Sequence, residues 1–277
     1  MIVGIVGLGL MGGSFGRLLV DRGYTVYGTD RSVEAMKKAI LVKAITSPLT
    51  MDNVAEVDML VIATYPRSFE RVAESYLPYM KSGAILSDFC GNKRIVISAM
   101  KRLSPLYPEI YFVGGHPMAG REYSGIEHSS IRLFDGASMI LVPYSQDILK
   151  LAMLKDWYIS LGFRRVEITT ADNHDSMIAY TSQLCHIVSN AFIKSESAKL
   201  HAGYSAGSYR DLTRVARLEP SMWSELMMDN KDKLTEELSL LIDNLSKYLV
   251  ALQNGDEDTL RALLDEGNQL KILIDKR

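Results

Sequence analysis

Three glycines in Gly7-Leu8-Gly9-Leu10-Met11-Gly12 fall where an apolar strand pattern gives way to a helical one beginning near Met11. A tight turn without side chains lets the N–H groups at a helix start approach a pyrophosphate. The pattern alone fits many glycine-rich turns. Here a strand precedes it, a helix and a second strand at residues 25–28 follow, and Asp30 stands eighteen residues beyond Gly12. An acid at that position accepts hydrogen bonds from the ribose hydroxyls and completes a dinucleotide fingerprint. It also repels a 2′-phosphate, so NAD is favoured over NADP as cofactor. Arg31 belongs to the same candidate set, able to offset such a phosphate or to stack on adenine.

A second concentration of chemistry is Gly114-Gly115-His116-Pro117-Met118-Ala119-Gly120. It predicts a histidine just after a strand, held between a Gly-Gly turn and a proline. An imidazole with an ordinary pKa of about 6.5 suits proton transfer at neutral pH. A histidine beside a surface turn fits the same residues equally well. Ser182 and His186 are four apart, which sets a hydroxyl and an imidazole side by side on a helix. Arg210 and Arg214 have the same spacing, which puts both on one face of a helix, with Arg210 read as a solvated surface charge.

The elements that must position these groups follow from periodicity. Val- and Ile-rich runs at residues 2–6, 25–28, 59–63, 84–86, 111–113, 139–142 and 166–168 alternate with amphipathic stretches. That rhythm predicts an α/β fold, a Rossmann-type, doubly wound, mostly parallel sheet with helices on both faces. It stops at residue 172. Residues 172–200 carry Met177, Leu184, Val188 and Ala191 near helical spacing, with Asp172 and Asn173 as caps. Residues 223–253 and 256–273 also pattern as helices, broken at Asn254-Gly255. The expected organisation is a dinucleotide-binding domain over residues 1–171 and an all-α substrate and dimerisation domain over 172–277. Leu234, Leu238, Leu241, Leu245 and Leu249 exceed what a small helical domain buries against itself, which predicts a homodimer through the C-terminal helices.

Composition narrows the partners. With 31 Lys and Arg against 33 Asp and Glu, the chain has no basic stripe for nucleic acid. No apolar run approaches the roughly 18 residues of a membrane span, and the first residues lack a signal-peptide pattern. Cys90 and Cys185 form no CxxC pair, which argues against a disulfide framework or metal site and for a reducing cytoplasm.

The GGHPMAG segment together with Gly7-Leu8-Gly9-Leu10-Met11-Gly12-Gly13-Ser14 resembles the prephenate dehydrogenase family, which includes arogenate dehydrogenases. Ser87-Asp88-Phe89-Cys90-Gly91-Asn92-Lys93 is similar to the family's Asp-x-x-Ser-x-Lys loop, Asn173-His174-Asp175 to its His-Asp pair, and residues 181–186 to its substrate helix. Residues 209–216 with Pro220-Ser221-Met222-Trp223 resemble its C-terminal signature. The resemblance implies oxidative decarboxylation of a cyclohexadienol to a phenol, with His116 taking the C4 hydroxyl proton and Arg214, Ser182 and His186 holding substrate. It implies prephenate as substrate in tyrosine biosynthesis, with arogenate as the alternative and His186 tilting the choice towards the keto acid. A β-hydroxyacid dehydrogenase or a non-catalytic NAD-sensing protein are the rival readings. Thr64, directly after the run at 59–63, and Gly91 complete the candidate cofactor contacts. Gly91 stands where many members carry serine, and Cys90 or a backbone amide are the expected replacements for that hydroxyl.

Overall fold

The apolar runs become β1 (Ile2–Val6), β2 (Thr25–Thr29), β3 (Ser47–Pro48), β4 (Met59–Ile62), β5 (Ile85–Asp88), β6 (Tyr111–Pro117), β7 (Ser138–Pro143) and β8 (Arg165–Ile168). The computed structural model describes residues 1–121 and 123–276. One sheet holds these strands in the order β3-β2-β1-β4-β5-β6-β7-β8. β1 to β6 run parallel, β7 is antiparallel to β6, and β8 runs with β7. β3 has two residues, one of them proline, and so leaves no alternation for a sequence reading to detect.

Helices α1 (Leu10–Asp21), α2 (Val33–Leu41), α3 (Phe69–Tyr76), α4 (Arg94–Leu103) and α5 (Ile148–Ser160) cover both faces of the sheet. The pleat of β4 shows why the strand is apolar throughout. Met59 and Val61 enter one core with Phe15, Leu19, Phe134 and Tyr158, while Leu60 and Ile62 enter the other with Phe69, Leu86 and Phe112.

After β8 the chain is helical: α6 (Ala171–Ile178), a π-helical turn (Ala179–Leu184), α7 (Cys185–Phe192), α8 (Gly207–Thr213), α9 (Pro220–Asp229), α10 (Lys231–Asn254) and α11 (Glu257–Asp275). The expected helix over 172–200 therefore ends at Phe192, and a short 3₁₀ turn (Glu196–Leu200) follows a break that Ser195 caps. The cap of α6 is Thr170, whose hydroxyl accepts from Asn173 N at 3.3 Å, and not Asp172 or Asn173. Asp172 lies in the first turn, where a carboxylate faces the positive helix end. The expected helix over 223–253 is split at Asn230, whose side chain donates to Asp175 O (2.8 Å) and Gln183 Oε1 (2.9 Å) and accepts from Arg94. Gly255 ends α10 with a left-handed φ of 64°.

Leu234, Leu238 and Leu241 pack onto Ala179 and Leu184 within the chain. Only Leu245 and Leu249 of the five leucines face outward, joined by Leu252 on α10 and by Leu264, Leu270 and Leu273 on α11. Among the described residues, no helix is long and apolar enough to cross a membrane.

Candidate active site

The crevice between β1 and its neighbours is shaped by its glycines. Gly7 leaves β1 with φ of 96°, where a Cβ would lie 2.6 Å from Ala63 O, and a Cβ on Gly12 would lie 1.9 Å from Gly7 O. A side chain at Gly12 would push α1 off the end of β1, and one at Gly7 would push the turn off the backbone that follows β4. A Cβ on Gly9 would meet nothing within 4 Å, so open space lies over the turn. α1 has Gly9 as its cap residue with no side-chain cap, leaving the first-turn N–H groups of Leu10 and Met11 to a ligand. These are the features a pyrophosphate needs. Asp30 closes the end of β2, with Oδ2 accepting from Leu8 N and Oδ1 from Ser32 N, each at 2.8 Å. Its carboxylate thus holds the glycine turn in place, and each oxygen keeps capacity for a ribose hydroxyl. Arg31 is exposed beside it. Thr64 follows β4, and its methyl lies 3.1 Å from the position of a Gly7 Cβ.

His116 lies inside β6, not on a loop after it. No Gly-Gly turn is present. Gly114 and Gly115 are strand residues paired with Val142 and Leu141. Gly115 is bare because a Cβ would sit 2.6 Å from Asp88 O and 2.8 Å from the Met139 methyl. That close approach of β5 and β6 lets Gly115 N donate to Asp88 Oδ1 at 3.0 Å.

A chain of polar groups runs back from His116. Its Nδ1 lies 2.8 Å from His174 Nε2, and His174 Nδ1 lies 2.7 Å from Asp175 Oδ1. His174 and Asp175 are buried. Asp175 also accepts from Lys93 N (2.7 Å), Arg94 N (2.9 Å) and Arg94 Nε (3.3 Å), so it caps α4 from another domain. Burial opposes its charge, but the His174 hydrogen bond and the two backbone donors hold its carboxyl below the usual range. Lys93, fully buried, pairs with the equally buried Asp88, which also accepts from Cys90 N at 2.8 Å. Burial pushes the His116 pKa well below its ordinary 6.5, with His174 and the Lys93 ammonium acting in the same direction. This departs from the ordinary value of about 6.5 that the sequence alone suggests.

Cys90 does not reach the imidazole. Its thiol points to Thr64 O at 3.4 Å, and burial together with the Asp88 charge pushes its pKa up. Gly91 abuts α9, since a Cβ there would lie 3.2 Å from a Leu226 methyl. A serine would have to displace that side chain. His174, which the sequence pointed to only as half of a motif, occupies the hydrogen-bonding position on the catalytic-candidate ring. Lys93 and Asp88 gave no signal beyond their place in the same loop.

The helical residues form a second group. His186 Nδ1 donates to Val215 O at 3.0 Å, and its ring lies 3.8 Å from that of Trp223. Burial lowers its pKa despite that bond, with Arg214 adding to the effect. The neutral ring then offers Nε2 as an acceptor. Arg214 follows α8 and is exposed, and Arg210 is exposed on α8. Ser182 lies in the π-helical turn, next to Gln183, which ties Asn92 and Leu226 O together (3.2 Å each). Through Gln183 the loop carrying Gly91 is joined to α9. Among the described residues no cluster of ligands suits a metal ion.

Comparison with known proteins points to one family. The family model for the prephenate dehydrogenase nucleotide-binding domain matches residues 15–167, and that for the prephenate dehydrogenase dimerization domain matches residues 170–266. A cyclohexadienyl dehydrogenase of Zymomonas mobilis is 28% identical over 98% of this chain and 95% of its own. Prephenate dehydrogenase from A. aeolicus, solved in complex with hydroxyphenyl propionate and NAD+, superposes with a TM-score of 0.84 at 27% identity, covering 99% of this chain and 98% of that one. Synechocystis arogenate dehydrogenase superposes with a TM-score of 0.80 at 25% identity, covering 99% of this chain and all of its own (100%). With both domains matched and the nucleotide crevice, the GGHPMAG histidine and the helical domain in one chain, this protein belongs to the prephenate dehydrogenase family.

Proposed function

We propose that the protein is an NAD-dependent prephenate dehydrogenase, converting prephenate to 4-hydroxyphenylpyruvate and CO2 in tyrosine biosynthesis. The observation that carries this reading is His116, largely neutral by burial and bonded through Nδ1, which leaves Nε2 as the ring's acceptor for a hydroxyl proton. NAD, when bound, supplies the hydride acceptor. His116 takes the proton of the C4 hydroxyl as the alcohol is oxidised, and loss of the ring carboxylate makes the step irreversible through aromatisation. Residues 1–171 bind the dinucleotide, and residues 172–277 bind substrate and form a homodimer through the outward leucines of α10 and α11. Light scattering at micromolar concentration reads the assembly, and a monomer contradicts it.

Arg214, Ser182 and His186 hold the substrate's carboxylates and side chain. Arg214→Ala is expected to raise KM roughly 10- to 100-fold with kcat little changed, the weight of a charge-assisted hydrogen bond present from binding onward. Steady-state kinetics check this, and an unchanged KM removes Arg214 from the site. Asp30→Ala is expected to raise KM for NAD roughly tenfold and to narrow its lead over NADP, since it removes the ribose acceptor, the repelling charge and the brace on Leu8 N. A wild type that already prefers NADP contradicts the role of Asp30 and shifts attention to Arg31.

The arogenate reading has one specific observation in its favour. With His186 Nδ1 committed to Val215 O, the neutral ring presents an acceptor, which suits an amino group better than a keto oxygen. The sequence-based argument from His186 for the keto acid therefore loses its force. Initial rates with prephenate and arogenate, each with NAD and NADP, decide the substrate, and no turnover with either contradicts both readings.

A further inference from the structure

We propose that His174 and Asp175 act as a positioning relay that fixes His116 in its Nδ1–H tautomer and carries the charge His116 acquires on taking a proton. The proposal rests on the reading of His116 as the base. Asp175 is ionised, with backbone donors on both oxygens, so it can only accept from His174. The His174 proton is therefore on Nδ1. Burial keeps His174 neutral, so its Nε2 is a bare lone pair aimed at His116 Nδ1 across 2.8 Å. That lone pair requires a donor, which puts the His116 proton on Nδ1 and leaves Nε2 bare. No other order of protons makes both contacts hydrogen bonds while both rings are neutral.

The relay also has work in the reaction. The hydroxyl proton goes to His116 Nε2, the Nδ1–H bond to His174 shortens in character towards a charge-assisted one, and the new positive charge faces Asp175 through the His174 ring. The hydride leaves with the cofactor. No further reactant is needed. The groups around the relay are Asp88 at the end of β5, Lys93 from the loop that follows it, and Arg94 at the start of α4. Their positions are held by the α4 cap, so the relay's acceptor is braced by the same contacts that join the two domains.

A purely structural pair, tying α6 to the sheet, has the same contacts, so the test must read the proton itself. The protein has five histidines, which makes selective ¹⁵N-histidine labelling practical. In the cofactor-free protein above pH 7, His116 is expected to show one protonated and one bare ring nitrogen, with Nδ1 protonated. His174→Phe is expected to convert this to a mixed tautomer signal and to lower kcat at least tenfold with KM within about twofold, as for a lost second partner of a functional histidine. His174→Gln, whose amide can accept from Nδ1–H and donate to Asp175, is expected to keep the tautomer and recover most of kcat. Retention of the pure Nδ1–H signal in His174→Phe overturns the relay, as does an unprotonated Nδ1 in wild type. If His174→Phe does not fold, a His174→Gln protein with a mixed tautomer overturns it equally. A correct tautomer response in a protein that turns over neither cyclohexadienyl acid leaves the relay standing and removes the proposed function.

Discussion

Replacing His116 with Asn is expected to lower kcat by a factor on the order of 10² or more and to change KM only a few-fold. The proton leaves the C4 hydroxyl only as hydride departs, so the interaction with Nε2 strengthens in the transition state and contributes little to ground-state binding. Asn can hydrogen-bond but cannot take a proton at neutral pH. The pH profile gives the same test a second readout. In the proposed mechanism the neutral imidazole is the working form, and burial, His174 and Lys93 depress its pKa below 6.5. Wild-type kcat/KM is therefore level through neutrality and falls as the pH drops through a value below 6.5, and His116→Asn lacks that limb. Near-normal turnover in the variant contradicts the assignment of the base.

Lys93→Met destabilises the fold by about 3–5 kcal/mol, because it leaves the buried Asp88 carboxylate without its cation. Two backbone donors, Cys90 N and Gly115 N, remain on Asp88 and keep the loss from being larger. For a chain of this size that is a fall in Tm of roughly 10 °C by calorimetry. Adding Asp88→Asn to Lys93→Met restores most of the loss, since a neutral pair needs no counter-charge. A Lys93→Met variant within 1 °C of wild type, roughly the resolution of the scan, contradicts the claim that the buried Asp88 carboxylate depends on this cation.

What the sequence made legible was whatever had a period or a tight spacing. The sheet could be read because a strand such as β4 is buried on both faces and so is apolar at every position. The glycine turn was legible because Gly7 and Gly12 are forced by contacts within a few residues and one strand. Features made by distant residues left no trace. The break at Asn230 depends on Asp175, Gln183 and Arg94, and nothing near Asn230 in the chain signals it. Thr170 outcompetes Asp172 as a cap because β8 ends at Ile168 and sets where the helix can start. His116 was expected on a loop because Gly-Gly usually ends a strand. Here the glycines continue it, for Asp88 and Met139 crowd the sheet at that point. The partner of the His116 ring is the clearest case. The family resemblance pointed to the loop around Gly91 for that hydrogen bond, yet His174, fifty-eight residues from His116, makes it.

The proposed function comes down to one reaction at one site. Incubating the protein with prephenate and NAD and quantifying NADH, CO2 and 4-hydroxyphenylpyruvate together tests it most directly. The account predicts that all three form in equal amounts with wild type and that His116→Asn slows all three alike. NADH formed without CO2, or no turnover with prephenate or arogenate by a protein that binds NAD, contradicts it.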